Sequence, residues 1–185
     1  MIKNVVHPIS LLLLVFIIAF SSCSSPKRYS SRTNKKTRVE RKSRTTVYTK
    51  KTTTKGINTK RKQIVQNAKK YIGKKYTYGG KSPSTGFDCS GFTSHVFKNS
   101  GVSLTGPSHA QAKQGKRKSK RNLQAGDLVF FGKNNKVSHV GIVADVNRNR
   151  LKVIHSTSSR GVVIDDITGS DYWQSRYLFG RDILN

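Results

Sequence analysis

No core can be built from the long basic run near the N-terminus, and this limits the fold more than any other feature of the chain. From Lys27 to Lys60 the residues are mostly Lys, Arg, Thr and Ser, and residues 24–60 hold thirteen Lys and Arg against Glu40 alone. Ordering a residue costs about 1–2 kcal/mol of backbone entropy, and this run has too little apolar surface to offset that cost. Residues 23–60 therefore read as a disordered, basic tether, and the core must come from residues 61–185, enough for one ordinary domain. That domain still carries +15 of the total charge of +28. On charge alone the partner is anionic: nucleic acid, anionic lipid or an acidic wall polymer.

Ahead of the tether, Lys3 precedes an unbroken apolar run from Leu11 to Phe20, followed by Ser21, Ser22 and Cys23. Ten helical residues cover about 15 Å, half the hydrocarbon thickness of a bilayer, so the run suits a signal peptide over 1–22 better than a membrane span. The residues before Cys23 resemble a bacterial lipobox. That resemblance implies cleavage ahead of Cys23 and its lipidation; a plain secretory cut nearby is the alternative. An anchored tether would let the domain range roughly 30–40 Å from the membrane. Ser24 after the lipid cysteine resembles outer-membrane sorting, so the expected location is the outer membrane, facing the periplasm. With only Cys23 and Cys89, neither a disulfide framework nor a cysteine-rich zinc site is expected.

Within residues 61–185, Ile64, Val65, Ala68, Tyr71 and Ile72 form one helical stripe ending at Gly73, which predicts a helix over 61–72. A second helix is predicted from Cys89, with Asp88 as N-cap and Gly101 as its stop. Cys89 then lies in a first turn, where the backbone N–H groups and helix dipole favour a thiolate. The later chain is strand-like over 127–131, 138–144, 151–155, 162–164 and 177–184, an α+β order with an antiparallel sheet. Lys113–Arg121, rich in Lys and Arg, reads as a solvated loop.

Residues 145–150 form a turn signal between two strands. Centring the hairpin on Asn147 pairs Val143 with Leu151, Gly141 with Val153 and His139 with His155, on one face. A single-residue slip would separate the histidines. A thiol at a helix start, a histidine base and a second group to orient that base are what nucleophilic attack on an amide requires. Zinc held by Cys89, His139 and His155 is a rival use, but no close ligand pair supports it. His95 and His109 have no partner identifiable from sequence.

These residues resemble the NlpC-type cell-wall endopeptidases, papain-like cysteine hydrolases of bacterial peptidoglycan. The resemblance rests on Tyr76-Thr77-Tyr78-Gly79-Gly80, Asp88-Cys89-Ser90-Gly91-Phe92, Gly126-Asp127-Leu128-Val129-Phe130-Phe131, Ser138-His139-Val140-Gly141-Ile142 and a later strand ending in His155, in the family's order over residues 64–183. It implies a papain-like fold, with N-terminal helices on a central antiparallel sheet. It also implies Cys89 as nucleophile, His139 as general base then acid, and His155 as its orienter. Tyr76, or else Tyr78, is implied as an oxyanion donor, and Asp88 and Ser90 as contacts for the amine end of a stem peptide. Gly106 stands where the family often carries Arg.

The expected activity is a thiol endopeptidase acting on peptidoglycan stem peptides or cross-links, without cofactor or metal. Its expected partners are the wall and an anionic surface, with no specific nucleic acid, and the protein is expected to be a monomer. A noncatalytic cationic binder, and an amidase or acyltransferase on the same scaffold, are the competing readings.

Overall fold

The computed structural model describes residues 53–185; the apolar run, Cys23 and the basic run through Thr52 lie outside the described residues. The first helix, α1 (Thr54–Lys69), begins seven residues before the predicted start and inside the stretch read as tether. Thr53 caps it, its hydroxyl oxygen accepting from the Gly56 N–H at 3.3 Å. The basic composition of residues 53–60 masked that capping signal, since Lys and Thr are also tolerated on an exposed helical face. Ile64, Val65 and Ala68 are buried, as the stripe predicts. The α-helix ends three residues short of the predicted 72, and Gly73 instead ties the chain to the sheet by donating to the Val162 carbonyl at 2.8 Å.

After α1 the chain forms a two-stranded ribbon, β1 (Lys81–Ser82) with β2 (Gly86–Phe87), and then α2 (Cys89–Asn99) and the single turn α3 (Ser108–Gln111). There follow β3 (Lys116–Lys118), β4 (Leu128–Lys133), β5 (Lys136–Asn147), β6 (Arg150–Thr157), β7 (Gly161–Asp166), the short α4 (Asp171–Gln174) and β8 (Tyr177–Asp182). β3 to β8 make one antiparallel sheet in the order β3-β8-β4-β5-β6-β7. The fold class is α+β, as predicted. Alternation along the strands divides the core in two. Leu128, Phe130, Val140, Ile142 and Ile154 meet α1 and α2 through Ile64, Phe92, Val96 and Phe97, while Val129, Phe131, Val143, Leu151, Val153 and Ile167 form a second cluster with Trp173 and Tyr177.

The stretch Lys113–Arg121 is not simply a solvated loop. Its centre is edge strand β3, paired with β8, and the Arg117 guanidinium lies 3.7 Å from the centre of the Phe179 ring. Lys118 reaches inward to Asp127 (3.1 Å) and Asp182 (3.2 Å). Arg61 from α1 meets the same two carboxylates at 2.6 and 2.5 Å. This four-membered cluster ties α1, β3, the start of β4 and the end of β8 together. The cost of burying these carboxylates is offset because each has charged partners. Asp127 of the Gly-Asp-Leu motif is thereby a fold residue.

The β5–β6 hairpin differs from the predicted register. Its turn is Arg148-Asn149, with Asn147 opposite Arg150, Val146 opposite Leu151 and Asp145 opposite Lys152. Carried through unchanged, that register would put His139 and His155 on opposite faces. A bulge at Ala144 removes one residue from the count, so that Val143 faces Val153 and Ile142 faces Ile154. Parity is restored, but the histidines become diagonal neighbours. Gly141, and not His139, falls opposite His155.

Candidate active site

The site lies where β5 and β6 part. Their paired residues stop at Ile142 and Ile154, although β5 begins at Lys136 and β6 runs to Thr157. The start of α2 fills the opening. The Ser156 hydroxyl donates to the Phe87 carbonyl at 2.8 Å, and the backbone N–H groups of Val140, Ser90 and Cys89 itself are near enough to the Cys89 thiol to lower its pKa. Cys89 thus sits against the residue that follows His139. Gly91 allows α2 to enter so closely, because a Cβ there would fall 2.0 Å from the Gly80 carbonyl oxygen. This contact packs the Tyr-Thr-Tyr-Gly-Gly turn against the first turn of α2.

Asp88 caps α2 as predicted. Its Oδ1 accepts from the Gly91 N–H at 2.6 Å and from the Ser90 hydroxyl at 2.9 Å. Among the described residues its Oδ2 has no hydrogen bond, so capping leaves one carboxylate oxygen free. Of the two tyrosines, Tyr78 is 91% exposed. Tyr76 bridges to Phe87, and its hydroxyl is held above its usual pKa by burial and then by the neighbouring Cys89 and Asp88. It therefore stays protonated and able to donate.

His139 Nε2 and His155 Nδ1 are 3.0 Å apart. Diagonal residues on adjacent strands are 7–8 Å apart at Cα, within the reach of two imidazoles. Gly141 clears the way between them, since a Cβ on it would stand 3.0 Å from that of His155. Trp173 stacks on His139, with ring centres 5.1 Å apart and planes 30° apart, and tilts against His155 at 4.7 Å. A cavity of about 410 Å³ opens beside His139, lined by Trp173, Tyr172, Arg160, Arg176 and several serines.

Two supporting groups carry no sequence signal of their own. Asp165 on β7 lies 3.0 Å from His155 Nε2, accepts from the Trp173 indole N–H at 3.2 Å, and takes both Arg160 terminal nitrogens, at 3.0 and 2.5 Å. Gln111, fully buried, has its amide nitrogen within hydrogen-bonding distance of the Ser90 carbonyl, the Ser94 hydroxyl and the Gly106 carbonyl, for its two N–H donors, and its oxygen accepts from the Thr93 hydroxyl. It braces the start of α2 against the segment that holds Gly106. Asp165 is recognisable only once β6 and β7 are paired, His155 facing Val163 and Val153 facing Asp165. His95, left without a partner above, sits within hydrogen-bonding distance of the Tyr71 hydroxyl and Asn99, both 3.0 Å away. His109 is exposed on α3.

The electrostatics correct one expectation. The helix start does not leave Cys89 as a resting thiolate: burial raises its pKa, Asp88 adds to this, and the three backbone N–H groups do not compensate. Burial also lowers His139, to about 3, with His155 adding to the effect and Asp165 opposing it. His155 is lowered as well, chiefly by burial. Both shifts run toward the uncharged forms, thiol and imidazole. In zinc coordination His155 would need a free nitrogen, yet both of its ring nitrogens are engaged.

These shifts make stability depend on pH. The unfolded chain binds a proton at His139 below its ordinary pKa of 6.5, whereas the folded chain does not until about 3. Unfolding therefore takes up protons in this window, and stability falls as pH falls, by at most about 1.4 kcal/mol per pH unit for one proton. His139 is only partly buried, so the slope lies below that bound. Urea midpoints measured from pH 7 to 4 should decline, and less steeply in His139→Gln. Equal slopes in the two proteins would contradict the assignment.

Two helices on one face of an antiparallel sheet, with a cysteine opening the second and paired histidines on the central strands, make the α+β, papain-like hydrolase scaffold. The chain belongs to the NlpC/P60 family, whose model matches residues 73–182. It is 42% identical over 118 residues to a probable endopeptidase p60 of Listeria grayi, covering 64% of this chain and 22% of that protein. To murein DD-endopeptidase MepS/murein LD-carboxypeptidase of Escherichia coli K12 it is 34% identical over 124 residues, covering 66% and 63%. The crystal structure of the NlpC/p60 domain of peptidoglycan hydrolase SagA matches with a TM-score of 0.55 at 33% identity, covering 66% of this chain and 97% of that one. The chain thus aligns with about a fifth of the Listeria relative and under two thirds of the Escherichia coli one.

Proposed function

We propose that this protein is a peptidoglycan endopeptidase that hydrolyses an amide in the stem peptide or cross-link through Cys89, His139 and His155. The observation that carries this reading is the convergence at the β5–β6 opening: a cysteine sulfur against the Val140 amide and a His139–His155 contact of 3.0 Å. His139 takes the thiol proton as the sulfur attacks the carbonyl carbon, so charge separates only as the bond forms. The oxyanion is met by the Tyr76 hydroxyl and the Cys89 N–H. His139 then protonates the leaving amine and activates the water that releases the thioester. The free Oδ2 of Asp88, beside Ser90, is suited to an ammonium group, as at the amine end of a stem peptide. The domain's positive charge favours an acidic mesh of stem-peptide carboxylates.

Purified sacculi incubated with the protein should gain free amines, and mass spectrometry of defined muropeptides then identifies the bond. Binding without cleavage, lost steeply with salt, would establish the cationic binder instead. Transfer products without hydrolysis would establish the acyltransferase. Export, with acylation of Cys23 and anchoring in the outer membrane, belongs to the same proposal. It is supported by the apolar run 11–20 and the serines before Cys23. Fatty-acid labelling of the full chain should be lost in Cys23→Ser; retained label would refute the anchor.

A further inference from the structure

We infer that Asp165 is a positioning residue that sets the proton arrangement of both histidines, through a chain running Asp165, His155, His139, and so determines which nitrogen of His139 acts as base. The inference rests on the catalytic reading above and adds a fourth member to it. Asp165 stands on β7, the edge strand, and meets the histidine pair directly at His155. Burial disfavours its charge, but the hydrogen bonds from Arg160 and His155 outweigh this, and its carboxyl titrates below the usual range. An ionised carboxylate can only accept. The proton of neutral His155 must then lie on Nε2, which points at Asp165 Oδ2 across 3.0 Å.

The consequence passes to the next ring. With its proton on Nε2, His155 presents a lone pair at Nδ1, so the contact to His139 at 3.0 Å requires His139 to donate from Nε2. His139 is left with one basic nitrogen, Nδ1, and that atom receives the Cys89 proton when the S–H bond breaks. The imidazolium so formed keeps its Nε2–H bond to His155, and no second proton moves. Without the carboxylate the chain can run the other way. His155 would carry its proton on Nδ1 and donate to His139 Nε2, placing the His139 proton on Nδ1, where it blocks the base.

Around this chain the packing allows few alternatives. The Trp173 indole N–H also ends on Asp165 Oδ2 while its ring covers both imidazoles, and Arg160 closes the carboxylate from the cavity side. The charged groups nearest the histidines are thus Asp165 and Arg160, from β7 and the β6–β7 turn; β4 presents Phe131 and α4 presents Trp173. A histidine as orienter is ambiguous, because it can donate or accept at either nitrogen. The carboxylate on its far side removes that ambiguity.

The test is Asp165→Ala, with the isosteric Asp165→Asn as second variant should the first fail to fold. Long-range proton–nitrogen correlation spectra of the unliganded protein report each imidazole tautomer directly. Wild-type His139 and His155 should both be Nε2–H, and the variant should shift His139 toward Nδ1–H. On a defined muropeptide, kcat should fall roughly ten- to a hundredfold with KM within about threefold, because a wrong tautomer removes the base without touching the substrate. An Nδ1–H tautomer at wild-type His155, or wild-type tautomers and kcat in both variants, would overturn the inference. Should the wild-type protein cleave nothing, the catalytic reading fails, yet the spectra still decide whether Asp165 orders the histidines.

Discussion

Cys89→Ser should stay folded and release amine from sacculi at least about a thousandfold more slowly than the wild-type protein, since a serine hydroxyl is a far weaker nucleophile where only a neutral imidazole activates it. The substitution is nearly isosteric, and a serine hydroxyl can accept from the same backbone N–H groups that lower the thiol pKa. His139→Ala should fall to a similar floor, and the double variant no lower. Groups that act as one unit lose their effect together. Full activity in Cys89→Ser would end the nucleophile assignment, and activity removed by a chelator alone would revive zinc. Thermal melts of each variant separate lost chemistry from lost fold.

Arg61→Ala should cost about 3–5 kcal/mol, the usual result of removing one partner from a buried ionic cluster, because the carboxylates stay buried with less compensation. Arg61 bonds both Asp127 and Asp182, leaving Lys118 alone to neutralise two carboxylates. For a domain of this size the midpoint should drop by roughly 10–20 °C. The pair between Arg150 and Asp166, 3.2 Å apart with the arginine side chain 54% exposed, provides the contrast. Arg150→Ala should cost less than about 1 kcal/mol, as exposed pairs generally do. Similar losses at both sites would show that burial does not govern these interactions.

The start of α2, the strands from Leu128 onward and the candidate nucleophile were legible in sequence because each is local: a capping aspartate, a 3.6-residue stripe, an alternation of two. The basic stretches were less legible, because a lysine reads the same in solvent as in an ion cluster. Lys118 and Arg61 acquire their roles only when β8 and β4 bring Asp182 and Asp127 beside them. Likewise Lys55 and Lys60 within α1 look no different in sequence from the lysines before them, and the Thr53 cap is what marks the helix start.

The pairing of the histidines shows most plainly what each level determined. By itself the sequence determined that His139 and His155 stand on strands joined by a short turn, with apolar residues two apart beside them. That pattern reflects the period of a strand and needs no tertiary information. It did not determine the register, because a turn at Arg148-Asn149 alone would have separated the two rings. The bulge at Ala144, accommodated where β5 meets both neighbours, restores their shared face and sets them diagonally across Gly141. The tertiary structure alone decided that Asp165 stands behind His155, since a carboxylate ten residues away becomes a partner only when the sheet pairs β6 with β7.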